Sequence, residues 1–184
     1  YVHLTRGILG ESWIVDVELY GELDNQGMVF DFGHVNKQVR DAVESLFDHK
    51  LVVPSGLPQL QTTETGHNLA LSWQDAEGRA FSHLSPTESV ELVSAESITP
   101  DALIPLLEDT AMAAVPDNVS RVVIELRTEE IAGAFYHYSH GLKKHDGNCQ
   151  RIAHGQRSRI KILRNGKRDP LLEKAWALKW QDIY

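Results

Sequence analysis

Residues 21–52 read GELDNQGMVFDFGHVNKQVRDAVESLFDHKLV. Turn-forming residues fill positions 21–27, and the apolar run MVFDF that follows them is typical of a strand. A helix is predicted next, because apolar residues recur at helical spacing at Val35, Val39, Val43 and Leu46. Asp48 and His49 follow directly at its C-terminal end. This stretch therefore predicts a turn, a strand and a helix that ends on an acid and an imidazole.

The residues before this stretch predict a partner for the strand. Positions 11–20 alternate apolar and polar side chains, so that Trp13, Val15, Val17 and Leu19 share one face. Such alternation is typical of a half-buried strand. Since only a turn separates it from MVFDF, we predict that the two strands form a hairpin.

The rest of the chain alternates between short elements. Positions 54–98 are polar and rich in turn residues, and we interpret them as an inserted hairpin or lid. Thr99 and Pro100 then predict the capped start of a second helix. Three further strand-like runs and a short terminal helix or extension follow, namely RVVIELRTEE, IAGAFYHYSH, RSRIKILRNGKR and LLEKAWALKW. The first two of these runs form either a tight hairpin or the last and first strands of successive modules.

Composition and charge restrict the partners of the protein. The formal charge of -8 over 184 residues argues against a nucleic-acid partner. No run of about 18 apolar residues and no charged-then-apolar leader occurs, so we expect no membrane partner. The single cysteine fits a reducing, cytoplasmic location. Nine of the 18 Lys and Arg fall between positions 143 and 168, either as a solvated strand pair or as a patch for an anionic substrate.

The stretch quoted first resembles the 6-pyruvoyl-tetrahydropterin synthase / 6-carboxytetrahydropterin synthase family. The resemblance rests on Gly-Met-Val-Phe-Asp-Phe at 27–32, the helix, and Phe-Asp-His with a following apolar pair at 47–52. It implies an α+β fold of the tunnelling type, with an antiparallel four-stranded sheet and two helices on one face. It also implies that such sheets join into a barrel-like homo-oligomer, and that the small-molecule partner is a reduced pterin.

A second stretch, HGLKKHDGNCQRIAHGQ at 140–156, resembles the metal-binding motif of the same family. The resemblance assigns His140 and His154 as zinc ligands and places Gln156 where the family has a third histidine. Zinc prefers imidazole to a neutral amide oxygen, so this replacement makes the zinc cofactor doubtful. The possible substitutes for the third ligand are His145 and the less favourably oriented His137.

The resemblance also assigns roles to five other side chains. Cys149 takes the role of proton abstractor, and neighbouring basic residues favour its thiolate. Asp48 orients His49, and the pair moves protons to and from the substrate side chain. Glu129 or Glu130 holds the amino-pyrimidine edge of the pterin, because a carboxylate accepts two parallel hydrogen bonds.

The order of the two stretches is reversed relative to the family, where the metal motif comes first. A duplication explains this order: residues 1–130 form a first module with an insertion at about 55–98, and residues 131–184 begin a second, incomplete module. Positions 9–13, LGESW, then stand where the family has His-Gly-His-Asn-Tyr, so the metal site of the first module is degenerate.

Three functions follow from the resemblance. The first is a lyase that converts dihydroneopterin triphosphate to 6-carboxytetrahydropterin or a related reduced pterin. The second is a non-catalytic pterin-binding or assembly protein, because Gln156 weakens the metal site. The third is an aldolase-type cleavage of a pterin side chain.

Overall fold

A computed structural model describes residues 1–140 and 154–184 of the chain. The strands are β1 (Val2–His3), β2 (Gly7–Ile8), β3 (Ile14–Gly21), β4 (Leu51–Pro54), β5 (Gln61–Thr65), β6 (Asn68–Gln74), β7 (Ala80–Pro86), β8 (Val90–Val93), β9 (Val119–Arg127), β10 (Phe135–His140), β11 (His154–Arg159), β12 (Leu163–Arg164) and β13 (Lys167–Arg168). The helices are α1 (Phe32–Phe47), α2 (Pro100–Met112) and α3 (Pro170–Trp180), with a short 3-10 turn at Thr87–Ser89. Together they confirm the α+β class.

The helices α1 and α2 are present as predicted, and the predicted terminal helix or extension is the helix α3. Each helix begins at a side-chain cap. Asp31 Oδ1 accepts a hydrogen bond from Gly33 N (2.9 Å) at the start of α1. Thr99 accepts from Ala102 N at the start of α2, and Asp169 accepts from Leu172 N at the start of α3. These caps satisfy backbone donors that have no partner within the helix, which fixes where each helix begins.

The predicted hairpin between β3 and residues 28–32 is wrong. β3 pairs antiparallel with β9 instead, with Val17 opposite Ile124. The turn after β3 is closed by Asp24, whose Oδ1 accepts from Gln26 N (2.8 Å) and Met28 N (3.0 Å). Asn118, just before β9, then donates its side-chain amide to the carbonyl of Val29 (2.6 Å). Residues 28–31 therefore lead into α1 as an extended link rather than as a second strand.

The predicted four-stranded sheet is also wrong, since within the described ranges every sheet has two or three strands. The link at 28–31 forms no ladder, and β10 pairs with β11 rather than with β9. The tight hairpin considered for the runs at 121–130 and 131–140 is thus not formed. One ladder, β4 with β8, is parallel.

The parallel ladder separates two hydrophobic cores. Val52 and Val93 face the main core, in which α1 and α2 cover the β3–β9 ladder. Leu51 and Val53 face a second core beneath the antiparallel sheet β5-β6-β7. The insertion is therefore a three-stranded sheet with its own buried residues, which is more than the hairpin or lid expected from its polar composition. No helix in the described part of the chain is long and apolar enough to cross a membrane.

Candidate functional site

A cavity of about 490 Å³ opens between the end of α1, the start of β4 and the segment that joins β2 to β3. Its floor is apolar and belongs to the main core, with Phe47, Leu103 and Leu107 among the lining residues. Its polar wall carries Glu11, Glu44, Asp48, His49, Lys50 and His154. An apolar cavity with a few convergent polar groups is the usual form of a small-molecule site.

Asp48 and His49 lie on this wall because of the way α1 ends. His49 has a φ of 56°, and Lys50 N donates to Phe47 O (3.2 Å) across the resulting turn. The left-handed conformation costs a non-glycine residue about 1–2 kcal/mol, so its presence at a cavity suggests a functional constraint. The Nδ1 atom of His49 lies 2.8 Å from Asp48 Oδ2. The carboxylate thereby fixes the orientation of the imidazole and favours the proton on Nδ1.

His140 and His154 come together on the hairpin formed by β10 and β11. They are directly opposed across the ladder, and their ring centroids are 5.2 Å apart. The ring of His154 is also 6.0 Å from that of His49, although the two histidines are 105 positions apart in the sequence. The structure therefore brings two of the predicted zinc ligands beside the predicted Asp48–His49 pair.

Gln156 lies on the same face as His154 but contacts a different partner. It is opposite Tyr138, whose hydroxyl donates to Gln156 Oε1 at 2.7 Å. The side-chain oxygen of Gln156 thus already accepts one hydrogen bond. Among residues 1–140 and 154–184, no three His, Cys, Asp or Glu side chains are grouped so as to hold a metal ion. The two described imidazoles do not complete the donor set that zinc requires.

The two substitute ligands have different outcomes. His137 is buried, with its Nδ1 3.0 Å from Asp182 Oδ1 and its Nε2 3.1 Å from Gly10 O. Both ring nitrogens therefore already have protein partners, which leaves neither for a metal. His145 lies outside the described residues, as does Cys149, and the role assigned to Cys149 stays a prediction.

The structure does not place Glu129 or Glu130 on the cavity wall. Both are exposed and follow the end of β9. Glu11 does lie on the wall, beside Glu44 and Asp48, and it forms a bidentate pair with Arg157 at 2.8 and 3.0 Å. Sequence reasoning noted Glu11 only as a lost histidine. The signal that it missed was Arg157, three positions after His154, as a cation able to pair with it.

Glycines form the junction between residues 9–12 and the β10–β11 hairpin. A methyl group added at Gly155 would overlap the carbonyl group of Gly10. Ser12 Oγ donates to Gly155 O (2.7 Å), and Gly10 N donates to Ser139 Oγ (3.1 Å). This close contact places Glu11 and His154 on one cavity.

A network beneath this junction joins it to both ends of the chain. His137 contacts the Gly10 carbonyl and Asp182, and Arg6 forms an ion pair with Asp182 through its Nε atom at 2.6 Å. Burial alone would raise the pKa of Asp182, but the hydrogen bonds from Arg6 and His137 outweigh it and hold that pKa below its usual value. Asp182 is therefore ionised in the folded protein.

The family comparison matches a continuous stretch in the first part of the chain. Residues 5–104, more than half of the chain, match the family model described as 6-pyruvoyl tetrahydropterin synthase. A provisionally named 6-carboxy-5,6,7,8-tetrahydropterin synthase of Pyrococcus horikoshii is 38% identical over 53 residues. That alignment spans 29% of this chain and 31% of the relative, so the chain matches about a third of the relative's length.

Two solved structures are also similar. The 6-pyruvoyl tetrahydropterin synthase of Plasmodium vivax has a TM-score of 0.45 at 16% identity, over 64% of this chain and 79% of that one. The enzyme of Plasmodium falciparum has the same TM-score and coverage at 12% identity.

Proposed function

Because the chain belongs to the 6-pyruvoyl tetrahydropterin synthase family, we propose that it is a lyase acting on a reduced pterin. The proposed substrate is dihydroneopterin triphosphate or a related pterin, and the proposed product is 6-carboxytetrahydropterin or a close relative. The observation that carries this proposal is the Asp48–His49 pair on a cavity wall, with the ring of His154 6.0 Å from that of His49.

The proposed task of His49 is to move a proton at the substrate side chain. With its Nδ1 held by Asp48, the imidazole can accept or donate a proton at Nε2 without losing its orientation. Cys149 is proposed as the second proton-transfer group, on the family resemblance alone.

No step is assigned to zinc. His140 and His154 are suited to a metal, but Gln156 is hydrogen-bonded to Tyr138 and supplies no third imidazole. Proton transfer by His49 needs no metal ligand from this chain. The proposed role of His49 is therefore independent of whether the protein binds zinc.

Pterin recognition by Glu129 or Glu130 is proposed to involve a second copy of the chain. Both residues are exposed and lie outside the cavity of their own chain. A second subunit could supply Glu129 or Glu130 to a pterin in that cavity, and the family resemblance implies such a homo-oligomer.

The two-module organisation also stays a proposal. It places residues 1–130 in one module and 131–184 in the next. Its support is that β9 pairs with β3 while β10 begins a separate hairpin with β11. The chain therefore leaves one sheet and starts another near residue 130.

The direct test replaces Asp48 with asparagine. Asp48→Asn keeps the size of the side chain but removes the charge that orients His49, so turnover is expected to fall about 10²- to 10⁴-fold. Product formation from dihydroneopterin triphosphate, separated by chromatography, measures it. Asp41→Asn, an equal charge change on the exposed side of α1, should leave the rate unchanged. An Asp48→Asn protein as active as the wild type would contradict the proposed role.

A non-catalytic pterin-binding or assembly protein is the second candidate. The hydrogen bond from Tyr138 to Gln156 favours it, because the residue that stands where the family has a third histidine is a neutral amide whose oxygen already has a partner. In that case calorimetry should detect pterin binding in the purified protein, while no product forms even with added zinc. If the wild-type protein turns over the substrate and Asp48→Asn abolishes that turnover, this candidate is eliminated.

A further inference from the structure

A second cleft, of about 380 Å³, lies between the β10–β11 hairpin and α3. It shares no lining residue with the cavity described above. Its lining consists of Tyr136, Arg159, Ile160, Lys161, Ile162, Trp176 and Trp180. Three aromatic side chains and two cationic side chains therefore line this one cleft.

The aromatic rings of the cleft pack edge to face. The ring of Trp180 lies 5.2 Å from that of Tyr136 at 69°, and 5.2 Å from that of Trp176 at 65°. These contacts fix the indoles between the hairpin and α3, yet both tryptophans stay partly exposed. Fixed, accessible indoles offer π surfaces on which a planar ring can stack without a large loss of side-chain entropy.

The cations of the cleft differ from the other arginines nearby. Arg157, Arg164 and Arg168 form ion pairs with Glu11, Asp169 and Glu173 respectively. Within the described ranges no ion pair involves Arg159 or Lys161, and both side chains are exposed. Lys179 adds a third positive charge, with its Nζ 4.6 Å from the ring centre of Trp176.

The acidic groups near the cleft do not cancel this charge. Glu173 is close enough for Arg159 to favour its ionised form, but Arg168 already bonds both of its carboxylate oxygens. The chain as a whole carries a charge of -8, whereas the side chains beside these indoles carry a local surplus of positive charge. Such a surplus attracts anions.

We propose that this cleft binds a planar heteroaromatic anion, that is, a ring compound bearing phosphate. The ring would stack on Trp176 or Trp180, and the phosphate would lie against Arg159 and Lys161. A nucleoside triphosphate and a phosphorylated pterin share this chemistry. The proposal does not depend on the reaction proposed for the first cavity.

Calorimetric titration of the purified protein separates the parts of this chemistry. ATP and dihydroneopterin triphosphate are the two complete ligands, while adenosine carries only the ring and inorganic triphosphate only the charge. We expect inorganic triphosphate to bind about tenfold more weakly than ATP, the loss expected when one aromatic stack is missing. Adenosine should also bind more weakly than ATP, because it lacks the negative charge that the cations of the cleft attract. Equal binding of ATP and inorganic triphosphate would reduce the cleft to a diffuse electrostatic patch and overturn the proposal.

Three variants assign the binding to the cleft. Lys161→Gln removes a cation that lines it and should weaken ATP binding about fivefold, as for an exposed ion pair. Lys167→Gln makes the same charge change on β13, outside the cleft, and should leave ATP binding unchanged. Asp48→Asn should also leave it unchanged, which keeps this result separate from the first cavity. Equal weakening by Lys161→Gln and Lys167→Gln, or loss of ATP binding in Asp48→Asn, would contradict the proposal.

The binding of ATP and of dihydroneopterin triphosphate then shows which of the two ligands the cleft takes. Dihydroneopterin triphosphate that binds twice per chain, with one of the two sites weakened in Lys161→Gln, would place a pterin phosphate in the cleft. ATP binding that dihydroneopterin triphosphate does not displace would instead assign the cleft to nucleotides. Absence of binding by both ligands would overturn the proposal.

Discussion

Residues 9–11 (Leu-Gly-Glu) and residues 154–156 (His-Gly-Gln) lie against each other at their central glycines, but their outer residues have different surroundings. Leu9 is buried, and Glu11 is held by Arg157. His154 is opposite His140, and Gln156 is opposite Tyr138. The first segment thus supplies packing and a fixed charge, while the second presents an imidazole to the cavity. Similar three-residue patterns can share a backbone contact and still differ in chemistry, because the glycine serves the contact and the flanking residues do not.

The largest effect is expected from a substitution that disrupts the contact between Gly155 and Gly10. Gly155→Ala places a methyl group where the Gly10 carbonyl lies, and the neighbouring atom is backbone that can move little. We expect a loss of about 3 kcal/mol in the free energy of unfolding, at the upper end for an overpacked site. Chemical denaturation measures it, and Gly33→Ala in the first turn of α1 is the matched control, because its added methyl group would meet only the side-chain oxygen of Asp31, at 3.3 Å, and no backbone atom. Equal stability of the two variants would mean that the segments are not in contact.

Much of the fold was predictable because it depends on local signals. The spacing of Val35 and Val39 predicted α1, and the cap at Thr99 with the proline after it predicted α2. The partner of β3 was not predictable from its own alternation, since pairing depends on which distant strand covers its edge. Asn118 and Asp24 decided that choice through side-chain hydrogen bonds to the backbone of the turn and the link.

The candidate site was predictable in its residues but not in its arrangement. Asp48, His49, His140 and His154 were identified from motif resemblance. The ring of His154 lies 6.0 Å from that of His49 and 5.2 Å from that of His140. Glu11 was missed as a site residue because its significance depends on Arg157, 146 positions away. The interaction of Gln156 with Tyr138 likewise becomes evident only from the strand register.

The Glu11–Arg157 pair tests whether the first segment is held by charge. Glu11→Gln leaves Arg157 without its anion, and both side chains are about nine-tenths buried. The expected loss is about 2 kcal/mol of unfolding free energy, below the full cost for a completely buried pair. Asp16→Asn is the control, because it breaks an ion pair with Arg127 that is about half exposed and should cost below about 1 kcal/mol. Equal costs for the two variants would show that burial does not strengthen the Glu11 pair.

A histidine placed at position 156 tests whether the second segment can complete a metal site. Gln156→His puts a third imidazole on the face that carries His154, opposite Tyr138, and zinc binding is expected to tighten about tenfold or more. Competition with a chromophoric chelator measures the affinity. Tyr138→Phe is the control, since it frees the Gln156 oxygen without adding a good ligand, and it should change zinc affinity little. Unaltered affinity in Gln156→His would show that these side chains do not converge on one metal.

The smallest effect is expected from the protonation of Asp182, which is linked to the first segment. Asp182 reaches the Gly10 carbonyl of the first segment through the imidazole of His137. The pKa of Asp182 is lowered in the folded protein because the hydrogen bonds from Arg6 and His137 outweigh the opposing effect of burial. A carboxyl group with a lowered folded pKa contributes stability above its unfolded pKa, near 3.8, and that contribution is lost as the pH falls through the folded value.

Asp182→Asn should therefore cost about 1 kcal/mol of unfolding free energy at neutral pH, the upper range for a pair that solvent still reaches. The gap between wild type and variant should stay constant down to about pH 5 and narrow as the pH drops below about 4, because protonation of Asp182 in the wild type then removes the same charge. Denaturation midpoints across this pH range measure it. Asp117→Asn, an equal charge change at an exposed site, should show no such narrowing. A gap that widens in acid would mean that Asp182 is not the ionised partner of Arg6 and His137, and the first segment would then be held by its glycine contact and Glu11 alone.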